Sequence, residues 1–168
     1  IEGLKIMKPM NAMKKLVAVA AVLVMPLAEA AVKIEHWVAP TGARVYFVET
    51  RALPIVDVQV DFPAGSAHDP EERVGLAELT RALLVMGVQG MDETTLSNRL
   101  ADLGALLGGG ADMDRATQTL RTLSTADKRT PALAIFKSIL GRPTFPADVL
   151  AREKARTIAS IKESLTRP

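Results

Sequence analysis

The side chains able to do chemistry in this chain are few, and their spacing excludes more than it permits. Cysteine is absent from the 168 residues, and histidine occurs twice, at His36 and His68. A disulfide framework or thiolate site is thereby ruled out, and any metal would need His, Asp or Glu. Neither histidine has a second histidine one helical turn away, so both read as ordinary surface or strand-end residues. Glu78 and Arg81 stand three apart in an otherwise apolar stretch. They are either a surface ion pair worth about a few tenths of a kcal/mol or a charge pair facing a cleft, and the sequence leaves both open. Gly108-Gly109-Gly110 lacks the Lys-Ser/Thr that follows a phosphate-cradling loop, and it reads as a helix stop with close backbone approach. Met86, Met91 and Met113 read as core filling.

The elements that must position these residues follow from periodicity. Lys33 to Val38 and Arg44 to Glu49 are strand-like, and Pro40-Thr41-Gly42 between them is turn chemistry, which gives a hairpin. Val56, Val58, Val60 and Phe62 alternate with Asp57, Gln59 and Asp61, the pattern of a strand with one buried and one wet face. Pro63-Ala64-Gly65-Ser66 ends it, and an apolar helix is expected from about Val74 to Met86, closed by Gly87. A second helix places Leu96, Leu100, Leu103 and Leu107 on one face, with Asp92 or Thr94 as its N-cap and the glycine run as its stop. Ala116 to Ser124 is a fourth strand. Thr130-Pro131 then opens a helix with Leu133, Phe136 and Leu140 on one face, ended by Gly141 and Pro143. Pro146 opens the last helix, which carries Leu150, Ile158, Ile161 and Leu165 almost to Pro168. The order is that of an α+β domain, a largely antiparallel sheet with helices on one face.

Residues 1–30 differ from the rest. Lys8, Lys14 and Lys15 precede an apolar run from Leu16 to Leu27, and Ala28-Glu29-Ala30 supplies a small-x-small cleavage pattern, so this segment reads as a secretory signal peptide cut after Ala30. The run falls short of the roughly 20 apolar residues that span a bilayer, so no stable membrane anchor is expected after cleavage. Ile1 to Ile6 precede the first methionine, and Met7, Met10 and Met13 are all possible starts. Cleavage removes Lys5, Lys8, Lys14, Lys15, Glu2 and Glu29 from totals of 21 basic and 19 acidic side chains, leaving 17 of each. A neutral body gives no reason to expect nucleic-acid binding. The reading is of one domain, 31–168, exported to a periplasm-type compartment.

Thr41-Gly42-Ala43-Arg44-Val45 in the hairpin, Leu53-Pro54-Ile55-Val56, Pro63-Ala64-Gly65-Ser66 and Gly75-Leu76-Ala77 at a helix start resemble, in that order, the beginning of pitrilysin/insulinase-family zinc peptidase domains. Leu103-Gly104-Ala105 and Arg152-Glu153-Lys154 extend the resemblance over everything after the leader. It implies an insulinase-type N-terminal domain. In active members the helix after Gly-Leu-Ala carries His-x-x-Glu-His, whose histidines share a helix face and bind one Zn²⁺ while the Glu serves as general base for the metal-bound water. The matching positions here are Glu78-Leu79-Thr80-Arg81-Ala82. Glu78 and Ala82 stand in place of the histidines and Arg81 in place of the base. The family's third ligand is a glutamate seven residues beyond a supporting Glu; with Glu153 as the supporting residue, Ser160 takes the ligand position, and Glu163 lies nearby. One carboxylate does not rebuild a site without imidazoles, and Arg81 puts a permanent positive charge where a dication would sit.

The resemblance thus implies a non-catalytic homologue with no catalytic residue, metal or cofactor of its own. It further implies a zinc-bearing insulinase-family subunit as partner, with zinc held only there, and peptides as the substrates they enclose. Two other readings remain: a free-standing peptide-binding scaffold, and an enzyme whose intact site lies further along a longer chain. Active relatives dock substrate by strand addition near the glycine run, where the missing side chains would remove specificity pockets but leave backbone groups available. The chain is short for the family and reads as an N-terminal fragment, for which uncovered sheet edges and apolar helix faces imply poor solubility. If the leader is read correctly, N-terminal sequencing of the exported chain begins at Ala31; an intact leader on the exported protein would contradict it.

Overall fold

The computed structural model describes residues 32–166, so the leader lies outside the described residues. The chain divides into two compact units, one reaching to Thr50 and one from Arg51 onward, each taken by itself below. In the first, β1 (Ile34–Val38) and β2 (Arg44–Val48) form the expected antiparallel hairpin, with Ile34 opposite Val48 and Trp37 opposite Val45. The turn closes through Gly42 N–H to the Ala39 carbonyl at 2.8 Å. His36 lies across from Tyr46 with the two rings stacked, centroids 6.3 Å apart.

The second unit is built around three antiparallel strands, β3 (Ile55–Phe62), β6 (Leu106–Ala111) and β7 (Ala116–Leu123), in the order β3-β7-β6. Between β3 and β6 the chain forms α1 (Leu76–Leu83), a small hairpin of β4 (Gly87–Val88) and β5 (Met91–Asp92), and α2 (Glu93–Asp102). After β7 come α3 (Ala126–Gly141) and α4 (Ala147–Ser164). Gln118, Leu120 and Thr122 alternate inward along β7 and are buried with Leu96, Leu100, Phe136 and Ile139 from the helices. The opposite face is polar, because Asp57, Gln59 and Asp61 of β3 pair with Arg121, Thr119 and Thr117. Mixed helix and antiparallel sheet, with the buried side chains of β7 facing the helices, is the α+β domain the sequence implies.

Several element boundaries differ from the sequence reading, each for a local reason. The second helix does not run to the glycines; it stops at Asp102, and Gly108-Gly109-Gly110 lie within edge strand β6. Gly104 adopts φ +63° just past the helix, its N–H meets the Ala101 carbonyl at 2.9 Å, and Ala105 N–H meets that of Leu100 at 2.9 Å. That is a Schellman stop, sealed by the buried Leu100 and Ala105. Leu107 therefore belongs to a strand. Of the two N-cap candidates Asp92 is the one used, its carboxylate accepting from Thr95 N–H at 2.8 Å. The first helix is shorter than expected, and Val74 before it is exposed.

The third helix begins at Ala126, a turn before Thr130-Pro131, so Pro131 is internal. The Thr125 carbonyl accepts from Lys128 and Arg129 N–H at 3.1 and 2.8 Å, starting the helix there. Pro131 lacks the N–H that would reach the Asp127 carbonyl, and Asp127 is in the exposed first turn, where a missing intrahelical bond costs least. The buried stripe is Ala132, Ile135, Phe136 and Ile139, with Leu133 and Leu140 at its margin. Met91 packs against the core, whereas Met113 is 70% exposed at the β6–β7 turn and fills nothing. On α4, Ile158 and Ile161 are exposed, as is Leu165 just past its end, and Val149 is the buried anchor.

A Cβ at Gly109 would run into the Thr117 carbonyl of β7, so only glycine allows β6 to close on β7 at that point. Gly109→Ala should lower the urea midpoint by more than Gly104→Ala, which costs about 1 kcal/mol for its positive φ. Equal midpoints for Gly109→Ala and the unchanged protein would show that β6 is not held in this register.

Candidate functional site

Helix α1 carries the positions at which the family resemblance places two metal ligands and a base. Its N-terminus is fixed by a side chain the sequence reading passed over. The Asp69 carboxylate accepts from Gly75 N–H through Oδ2 at 2.8 Å and from Ala77 N–H through Oδ1 at 2.9 Å. Two of the amides that a helix start leaves without intrahelical partners are thus satisfied by one acidic group, which also suits the positive end of the helix dipole. Asp69 is in turn placed by backbone bonds: Ser66 N–H donates to the Asp112 carbonyl at 2.8 Å and Ala67 N–H to that of Met113 at 2.9 Å. That turn is stiffened by Asp112, whose Oδ1 accepts from Asp114 and Arg115 N–H, holding the carboxyl below its ordinary range. An acidic residue six positions before Gly75 was the available signal, but its reach depends on a loop path that no periodicity reveals.

On α1 itself, Arg81 Nη2 donates to Glu78 Oε1 at 2.8 Å. The pair is asymmetric in burial: the Glu78 side chain is 56% exposed and that of Arg81 21%. Arg81 Nε is buried and has no hydrogen-bond partner. Ala82 is half-buried on the same helix. Helix α4 packs against α1 and brings Glu153 and Ser160 on one element, Glu153 largely buried and Ser160 exposed. Glu153 is bound to Arg152 Nε at 3.0 Å and lies 3.9 Å from Arg156 Nη1. Arg152 also reaches Glu93 on α2 at 2.8 Å, which ties α4 to α2 through an exposed bridge. His36 belongs to the hairpin and His68 to a short 3₁₀ turn in the loop before α1.

These residues do not suit a catalytic zinc. Ala82 has no donor atom, Arg81 is a permanent cation, and the carboxylate of Glu78 is already committed to it. Among the described residues no three His, Cys, Asp or Glu side chains come close enough to hold a metal ion.

Residues 44–168 match the insulinase family, peptidase family M16. The chain belongs to that family. Among solved structures, this insulinase-family chain is similar to the peptidase M16 inactive domain from Pseudomonas fluorescens, with 43% identity and a TM-score of 0.78. The match covers 81% of this chain and 33% of that one, so the chain spans about a third of that structure's length. Pitrilysin, at 20% identity and TM-score 0.67, is matched over 83% of this chain and 15% of its own. A protease from Helicobacter pylori, at 16% and 0.61, is matched over 70% and 28%. At such identities the latter two support the fold alone. No curated protein sequence matches the chain.

Because Asp69 holds the start of the site helix, Asp69→Ala should lower stability by about 1 kcal/mol, with Asp69→Asn losing less because one acceptor oxygen remains. Hydrogen exchange at Gly75 and Ala77 should quicken in both. Unchanged exchange would mean that these amides are protected by something other than Asp69.

Proposed function

We propose that this chain is the N-terminal domain of an exported, non-catalytic insulinase-family subunit, which pairs with a zinc-bearing relative and helps hold the peptides that the relative cuts. The observation that carries the reading is the Glu78–Arg81 ion pair, formed at 2.8 Å across positions where an active member needs a ligand and a base. A guanidinium repels a dication at short range, and its own partner consumes the nearest carboxylate, so the pair substitutes for the metal in keeping this part of α1 electrically balanced. The 43% identity to a structure described as an inactive M16 domain supports the same conclusion. Zinc chemistry then belongs to the partner, and this chain contributes wall and binding surface. Export rests on the leader pattern in residues 1–30. Among the described residues no helix is long and apolar enough to cross a membrane.

Metal analysis of the purified chain should find well under one zinc per molecule. The double variant Glu78→His, Ala82→His should gain little, because Arg81 still places its charge in the site. Stoichiometric zinc in the unsubstituted protein would return the enzyme reading. A pull-down from periplasm should recover a relative bearing His-x-x-Glu-His, and repeated failure to find one would count against the pairing.

A further inference from the structure

In three places an acid and an arginine three residues further on form an ion pair: Glu78 with Arg81 at 2.8 Å, Asp112 with Arg115 at 3.8 Å and Glu153 with Arg156 at 3.9 Å. Helix α2 ends on the same spacing in the reverse order, Arg99 and then Asp102. Side chains on a helix lean toward its N-terminus, so an arginine that precedes its acid points away from it, and that order pairs less well. Among the described residues neither the Arg99 guanidinium nor the Asp102 carboxylate makes a hydrogen bond or ion pair, and both residues are exposed. They flank a cleft of about 440 Å³ between α2, β5 and α3, with apolar walls that include Met91, Leu103, Pro131 and Ile135. Lys128 is already engaged, its Nζ donating to the Asp102 carbonyl at 2.9 Å, where its charge answers the negative end of α2.

A cavity of this size, apolar inside with a few polar groups at its mouth, has the form of a small-ligand site. The two rim charges select among ligands. A lone carboxylate would meet Asp102, a lone amine would meet Arg99, and an uncharged apolar group would leave both without a partner. A molecule that carries a carboxylate and an ammonium on one carbon satisfies both, because positions one helical turn apart have Cβ atoms only about 5–6 Å from each other. We infer that this cleft binds a free α-amino acid with an apolar side chain. Its carboxylate lies on the planar fork of Arg99, its ammonium on Asp102, and its side chain against Met91, Leu103 and Ile135. Binding makes and breaks no covalent bond. The cleft uses no residue of α1. Breakdown of peptides, proposed above for the partner, yields such molecules, but the inference stands without that reading.

The test is a titration of the isotope-labelled full chain with leucine and with phenylalanine, followed through amide chemical shifts. Both should move the amides of Arg99 to Leu103 and of Ala134 and Ile135, with a dissociation constant of about 1 mM, in keeping with so few ligand atoms. N-acetyl-leucine, which lacks the ammonium, and leucinamide, which lacks the carboxylate, should each bind about tenfold more weakly, the loss of one charge-assisted hydrogen bond. Glycine, with no side chain for the apolar walls, should leave these amides in place. Arg99→Gln and Asp102→Asn, at exposed positions that do not endanger folding, should each weaken leucine about tenfold, with thermal midpoints measured alongside. Equal affinity for leucine and for its doubly blocked N-acetyl amide would overturn the inference, since the cleft would then be a seat for an apolar side chain of a peptide or partner. Amides unmoved at about 10 mM leucine would also overturn it, as would binding that neither substitution weakens.

Discussion

Strand β7 is hydrogen-bonded on both edges, to β3 and to β6, and its inner side chains lie at the centre of the core. A strand in that position can shift register only by turning Gln118, Leu120 and Thr122 outward and Arg121 inward, so its register is strongly fixed. The helices then have a surface to pack on, and β6 has a fixed line along which its glycines must approach. The same register sets the polar face, where Asp57 meets Arg121 and Asp61 meets Thr117 and Gln59. Those contacts hold the carboxyls of Asp57 and Asp61 below the usual range, through hydrogen bonds from Arg121 and Thr117 respectively.

From β7 the order passes to the site helix through backbone contacts rather than packing alone. The turn joining β6 to β7 receives Ser66 and Ala67, and the loop they begin delivers Asp69 to the first amides of α1. Helix α1 has only eight residues, too few to be stable by propensity, so it depends on this anchor and on the burial of Leu83. The orientation of Glu78 and Arg81 is therefore inherited from the sheet.

An active member of this architecture would spend that rigidity on placing ligands around a metal. Here the same helix face presents an ion pair. The ion pair keeps the charge balance local, within three residues of one helix.

The sequence by itself determined the α+β class, the hairpin and strands β3 and β7, because alternation and turn residues are local properties. It left undecided whether Glu78 and Arg81 meet and how deeply each is buried, and it misplaced ends of three helices. Leu107 continued a helical stripe on paper, yet Gly104 could terminate the helix because β7 offered the following residues a hydrogen-bonded edge. Pro131 looked like a first-turn residue, yet an earlier start at Ala126 was available once Ile135, Phe136 and Ile139 could be buried against β7 and α2. Asp69 showed no pattern at all, since its role is created by a loop that the β6–β7 turn holds in place. Such features depend on partners distant in sequence, and only the tertiary structure brings those partners within bonding distance.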